Sequence, residues 1–293
     1  MHGFPPTLVE TLLDAALAEG RRVLPIAGLQ GSGKSTLATQ LAAAARARGL
    51  RTAVLSIDDV YLGRRERARL TYGVHPLLAR RGPPGTHDVG LACDTLDALS
   101  TGAEVRLPRF DKLRDTRLPP SRWPRSGPVD LVLFEGWCLH VPAEDPAALA
   151  VPLNALEREE DPDAIWRSWC NTALGRDYPA LWSRLGPPLW LQPPAFEIVT
   201  HWRWQQERAL SAARPHLAVR AMRRAEVGRF VQHFERVSRR ALATLPALAW
   251  RSLLLDRQRR VVGTKADPQV APGHAEDAGS RASVTPPRNS PSG

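Results

Sequence analysis

The sequence predicts an α/β fold, a doubly wound parallel sheet flanked by helices, with a helical lid. Three observations carry this. Short apolar runs alternate with helical patterns along the chain. Two of the runs, residues 51–57 and 129–136, are almost uninterrupted, as strands covered on both faces must be. A glycine-rich stretch, GLQGSGKST from Gly28 to Thr36, stands between an apolar run and a helical pattern. Sheets of this kind hold ligands beyond the carboxyl ends of their strands.

Residues 6–20 carry Leu8, Leu12, Leu13, Ala16 and Leu17 at helical spacing, and Gly20 is placed to end this leader helix. RRVLPIAG, 21–28, reads as a buried strand. Its Pro25 has no N–H to give a ladder, so it is expected near the strand start or at an irregularity. After the glycine loop, 36–48 is alanine-rich and helical, and Gly49 stops it. Residues 51–57 form a second strand and 89–100 a helix, whereas 72–86 and 108–128 read as loops rich in Pro, Gly and Arg. Residues 129–136 form another strand, LWLQ at 189–192 a further one, and RSLLLD at 251–256 the last. Two long helical patterns, 196–213 and 226–245, precede that last strand. From 264 to 293 the chain is Pro, Ser, Gly and Ala with balanced charge, which predicts a disordered tail after one folded domain, 1–263. No internal repeat is visible.

The composition narrows the function classes. No apolar run approaches the about 18 residues needed to span a bilayer, so no membrane partner is expected. Glu10, Asp14 and Glu19 interrupt the first helix, which a signal peptide's apolar stretch would not tolerate, and the protein is expected in the cytoplasm. Cys93, Cys138 and Cys170 stand apart with no CxxC pair and read as reduced packing residues. The net charge is +10, yet lysine occurs only at 34, 112 and 265, and the arginines are scattered. That pattern suits a solvated basic surface and a small anionic substrate better than a nucleic-acid stripe, and it carries no signature of oligomeric state.

Gly28, Gly33, Lys34 and Ser35 fit GxxxxGK[ST] in full, the P-loop or Walker A pattern. Gly28, Gly31, Ser32, Gly33, Lys34, Ser35 and Thr36 are therefore expected to hold the phosphates of ATP. Backbone amides turn inward around oxygens, Lys34 bridges the β- and γ-phosphates, and the Ser35 hydroxyl is placed for Mg²⁺. Glu135 ends the apolar run 131–134 and matches the strand-tip acid that attends the metal. SIDDVY puts Asp58 and Asp59 at the tip of the second strand, where an acid beside the phosphate loop takes the proton of an attacking hydroxyl and touches the metal shell. Either carboxylate fits, and Asp59 equally fits a helix cap.

The ordered motifs GLQGSGKST, SIDDVYL, GPPGTHD, LPRFDK, VLFEGW and WRWQQE, spread from Ile26 to Asp256, resemble the P-loop small-molecule kinases related to uridine kinase, pantothenate kinase and phosphoribulokinase. Within that group the chain is most similar to the D-glycerate 3-kinase family. The resemblance implies Asp58 as general base, with Asp59, Tyr61, His87 and Asp88 lining the acceptor pocket and Arg109 and Lys112 facing an acceptor carboxylate. It implies that Arg203 of WRWQQE reaches the transferring phosphoryl group and that 196–245 acts as the lid. The expected activity is ATP- and Mg²⁺-dependent phosphorylation of a hydroxyl of a small organic acid, D-glycerate. The alternatives are a uridine- or pantothenate-type kinase, or a non-catalytic nucleotide-binding protein that uses its charge to bind polyanions.

Overall fold

Alternation of strand and helix begins with α1 (Pro6–Ala18), β1 (Val23–Gly28), α2 (Lys34–Ala47) and β2 (Thr52–Ser56). A computed structural model describes residues 3–213 and 222–266. A single 3-10 turn, Ile57–Val60, leads to α3 (Arg64–Gly73) and α4 (Val89–Ser100). The segment read as a loop over 108–128 holds most of two small antiparallel pairs: β3 (Val105–Arg106) with β6 (Arg125–Ser126), and β4 (Phe110–Asp111) with β5 (Thr116–Arg117). Then follow β7 (Leu131–Gly136), α5 (Ala155–Glu160), α6 (Ile165–Arg176), α7 (Pro179–Leu185), β8 (Leu189–Gln192), α8 (Ile198–Ala213), α9 (Arg224–Leu248), β9 (Arg251–Leu255) and β10 (Val261–Ala266).

The six-stranded sheet runs in the order β10-β9-β8-β1-β7-β2, parallel except for β10, which pairs antiparallel with β9. β1 and β7 lie inside the sheet and are buried almost throughout, which explains their unbroken apolar sequences. Pro25 sits in register with Phe134 in mid-strand. The Arg22 carbonyl accepts from Val132 of β7 at 2.8 Å, so by alternation Pro25 turns its backbone toward β8, whose pairing starts only at Ile26. The missing N–H falls where no ladder has begun.

Two apolar layers cover the sheet. One joins α1 and α2 to it through Leu13, Leu37 and Leu41, and the other joins α4, α7 and α9 through Leu96, Leu181 and Val231. The acids of 143–188 also have a packing role. Arg236 of α9 bonds the buried Glu157 at 2.6 Å and Glu144 at 2.9 Å, which fastens α5 and the segment before it to α9, and Arg167 of α6 bonds Asp161 of the α5–α6 link at 2.9 Å. All three cysteines are free and buried.

Two boundaries differ from the sequence reading. β10 extends the sheet beyond β9 and takes in residues 264–266, so the tail predicted from 264 starts no earlier than 267, and 267–293 lie outside the described residues. α3 runs to Gly73, past the start of the loop expected at 72. Among the described residues no helix is long and apolar enough to cross a membrane.

Candidate active site

Parallel register brings the chemistry together at the carboxyl edge of the sheet. Ile26 of β1 and Ser56 of β2 both stand level with Glu135 of β7. The loop after β1 and the turn after β2 therefore flank one carboxylate. In the loop, Gly31 (φ 83°) and Gly33 (φ 100°) take the left-handed conformation that turns the backbone around a central hollow. Lys34 is buried at the start of α2, where its Nζ donates to Leu29 O at 3.1 Å. Burial lowers its pKa, and the charges of Glu135 and Asp58 oppose that shift. The Ser35 hydroxyl donates to Glu135 Oε1 at 2.9 Å, so the two oxygens expected around a metal already adjoin. Ser32 Oγ is buried and has no partner among the described residues, and Thr36 follows on the first turn of α2.

On the acceptor side the two aspartates have separate surroundings. Asp58 accepts from Lys112 Nζ and from the Tyr61 hydroxyl, each at 2.6 Å. Burial pushes its carboxyl up, but the Lys112 charge and these hydrogen bonds outweigh that and hold it below the usual range. Asp59 closes a capping box on Ser56 N at 3.1 Å and meets Arg109 at 3.1 Å. Burial exceeds the pull of Arg109 and raises its carboxyl to about 6. Two neighbouring acids thus divide: Asp58 stays ionised at neutral pH, and Asp59 braces the turn.

Arg109 also donates to Val54 O at 3.1 Å and Pro108 O at 2.8 Å, so its guanidinium is committed to the tip of β2. Asp88 caps α4 by accepting from Leu91 N at 3.0 Å and pairs with Arg117 at 2.8 Å. Both side chains, expected at the acceptor, are thus already partnered within the protein. His87 is different. Its ring lies 4.9 Å from Tyr61, and its Nδ1 is 2.5 Å from the Tyr178 hydroxyl, which accepts from Gly85 N at 3.1 Å. The direction of the Nδ1–Tyr178 bond follows the ring tautomer, and Nε2 is a buried atom without a partner among the described residues. Burial lowers the imidazole to about 4, so the ring is neutral.

Arg203 lies on α8 with Glu207 as ion-pair partner and Gln206 Oε1 at 3.3 Å, its guanidinium 5.3 Å from the Phe230 ring. Trp202 is fully buried, a packing residue. Gly136 is filled by protein, since a side chain there would meet Leu139 at 2.7 Å and Ile57 at 2.9 Å.

The sequence reading missed Arg81 and Tyr178. Arg81 bonds Asp115 at 2.5 Å and sits 5.5 Å from the Phe110 ring, which is in turn 5.3 Å from Tyr61. Asp115 is shared with Arg67 and, at 3.8 Å, with Arg64, so one carboxylate faces three guanidiniums. Arg81 stands directly before GPPGTHD, a position that signals proximity to that loop. Tyr178 has no local signature at all.

A phosphate loop at a sheet's carboxyl edge, with an acid at the next strand tip and an arginine on a covering helix, defines a P-loop kinase. No protein-family model matches the chain. It is 33% identical over 227 residues to "Uncharacterized kinase mug58" of Schizosaccharomyces pombe, covering 74% of this chain and 79% of the relative. It is 36% identical over 129 residues to "D-glycerate 3-kinase, chloroplastic" of Arabidopsis thaliana, covering 40% of this chain and 28% of the longer relative. The structure of D-glycerate 3-kinase from Cryptococcus neoformans superposes with a TM-score of 0.74 at 25% identity, over 90% of this chain and 100% of that one. The chain belongs to the D-glycerate 3-kinase-like family of P-loop kinases.

Proposed function

We propose that the protein transfers the γ-phosphoryl group of ATP to a hydroxyl of a small organic acid, with D-glycerate as the first substrate. One observation carries the reading: the ionised carboxylate of Asp58 is clamped by Lys112 and Tyr61 beside the phosphate loop. Each of its oxygens keeps a lone pair for the attacking hydroxyl, so Asp58 orients the nucleophile and takes its proton as the new P–O bond forms. The loop amides and Lys34 hold the β- and γ-phosphates, and Arg203 meets charge that develops on the transferred group.

Ser35 and Glu135 fit a magnesium ion. Among the described residues no group of three His, Cys, Asp or Glu side chains forms a cage, and this ion ordinarily takes one or two protein oxygens plus phosphates and water. Bound there, it would neutralise phosphate charge. For an anionic acceptor, support comes from the cations gathered on this side: Lys112, paired with Asp58, and Arg81, paired with an Asp115 carboxylate that also faces Arg67 and Arg64. His87 Nε2, buried and without a partner among the described residues, donates to an acceptor oxygen in the tautomer that protonates it. An uncharged nucleoside gives these cations less to bind. A reducing, cytoplasmic setting suits the three free thiols.

The test is ADP release with ATP and Mg²⁺ across D-glycerate, L-glycerate, uridine and pantothenate. D-glycerate should turn over, and Asp58→Asn should lower kcat by roughly 10²- to 10⁴-fold, the range for loss of a general base. Turnover on uridine or pantothenate alone would overturn the acceptor, and an unimpaired Asp58→Asn would overturn the base.

A further inference from the structure

The turn between β9 and β10 brings a cation to the phosphate loop from the far end of the chain. Arg259 Nε donates to Gly31 O at 2.5 Å, Nη1 to Gln205 Oε1 at 2.8 Å and Nη2 to Trp202 O at 3.3 Å. One guanidinium therefore holds the loop with one edge and α8 with the other two nitrogens. Its Cζ lies 5.1 Å from the centroid of the Trp202 ring, whose own Nε1 donates back to Arg257 O at 2.8 Å.

The turn is built to present this side chain. Arg259 is in the left-handed region, φ 67°, which is strained for a residue with a Cβ. Asp256 holds it there by accepting from Gln258 N at 2.8 Å, Arg260 N at 2.9 Å and Arg260 Nε at 2.7 Å. Strain maintained by four local bonds, counting Arg259 N to Asp256 O at 3.0 Å, is a feature the surrounding structure enforces. All three of its named acceptors are neutral, so the half-buried charge of Arg259 adds positive potential beside the loop rather than cancelling an acid.

Helix geometry extends the connection to the chemistry. Trp202 and Gln205, three residues apart, share the face of α8 that Arg259 grips. Arg203 and Glu207, four apart, share the next face, against Phe230. The helix rotation that places Arg203 is thus set by the same contacts that set the height of the loop.

We propose that Arg259 is a positioning residue that ties the phosphate loop to the helix bearing Arg203, so that nucleotide affinity and the placement of Arg203 are determined together. The inference rests on the kinase reading above. It concerns a group outside every motif that marks the family in this sequence.

The experiment is isothermal titration of the full chain with Mg²⁺ and a non-hydrolysable ATP analogue, followed by steady-state kinetics, for Arg259→Ala, Arg259→Lys, Arg203→Ala and the Arg203→Ala/Arg259→Ala double variant. Arg259→Ala should weaken nucleotide binding about 10-fold and lower kcat as well. Arg259→Lys keeps the charge but reaches one acceptor, so it should recover part of the affinity and little of the kcat. Arg203→Ala should cost less in the Arg259→Ala background than alone. Fully multiplicative kcat losses would overturn the coupling, as would full recovery of kcat by lysine. Nucleotide affinity within twofold in Arg259→Ala would overturn the proposal alone, whereas no nucleotide binding by the unmodified chain would overturn the kinase reading with it. Arg259→Lys and melting curves separate these outcomes from a simple folding defect.

Discussion

Replacing Gly31 by alanine separates two demands that the Walker pattern does not express, because the pattern leaves that position free. Gly31 has φ 83°, and a Cβ there would lie 2.7 Å from the Cβ of Trp202. The left-handed conformation costs a non-glycine residue roughly 1 kcal/mol. The contact is about 1 Å closer than apolar carbons tolerate, and Trp202 cannot swing away, since the clash is with its Cβ and its ring is buried and bonded to Arg257 O. Overpacking of this kind costs about 1–3 kcal/mol, so the total is roughly 2–4 kcal/mol. Gly49 is the control: its φ is 80°, and nothing lies within 4 Å of an added Cβ. At about 2–4 °C per kcal/mol for a chain of this size, Gly31→Ala should lower Tm by roughly 4–15 °C and Gly49→Ala by about 2–4 °C. Thermal melts by circular dichroism measure both. Nucleotide titration should show weaker binding only in Gly31→Ala. Equal Tm values for the two variants would refute the packing of the loop against α8.

Asp59→Asn tests the raised carboxyl. Between about 4 and about 6 the folded protein keeps a proton that the unfolded chain has lost, so the Asp59 contribution falls as pH rises through that window and stays low above it. The stability of the natural protein relative to Asp59→Asn should therefore drop by roughly 2 kcal/mol from pH 4 to pH 6.5, read from denaturant melts; a flat difference would contradict the raised value. Arg81→Ala should raise KM for an anionic acceptor about 10- to 100-fold while leaving KM for ATP within twofold, and equal effects on both would remove Arg81 from the acceptor pocket. Arg236→Ala leaves Glu157 buried without its cation, and a loss of about 3 kcal/mol is expected in urea melts, with Glu157→Gln/Arg236→Met recovering part of it.

The parts of the site that depend on strand ends were legible in the sequence. GLQGSGKST fixes its own conformation through its glycines, and an apolar run ending in Glu135 leaves little choice about where that carboxylate stands. The side-chain partners were not legible. Arg109 and Arg81 are both arginines beside proline-rich loops, and only the folded arrangement shows that the first is bound to Val54 O and Asp59 while the second shares Asp115. The Tyr178 hydroxyl acts on His87 across 91 residues, a distance that no local pattern encodes. β10 was missed because VVGTKA carries only two large apolar residues before a polar composition begins; its pairing with β9, and not its own sequence, makes it a strand. The acids of 143–188 carry no local signature of a role either, since Arg236, from elsewhere in the chain, and Arg167 supply their partners.

The three buried thiols turn the molecule into its own recorder of opening motions. Cys93 lies on α4, Cys170 on α6, and Cys138 just past the end of β7, two residues beyond Gly136. Burial pushes the Cys138 and Cys170 thiols far above their ordinary range, so neither reacts while the native packing holds. Each can be alkylated only in the moments when its surroundings part. Labelling followed site by site would time the breathing of three regions, one of them beside the carboxyl edge of the sheet, without the insertion of a foreign probe. Saturating nucleotide should slow the Cys138 rate most, because that thiol adjoins the edge the ligand would close.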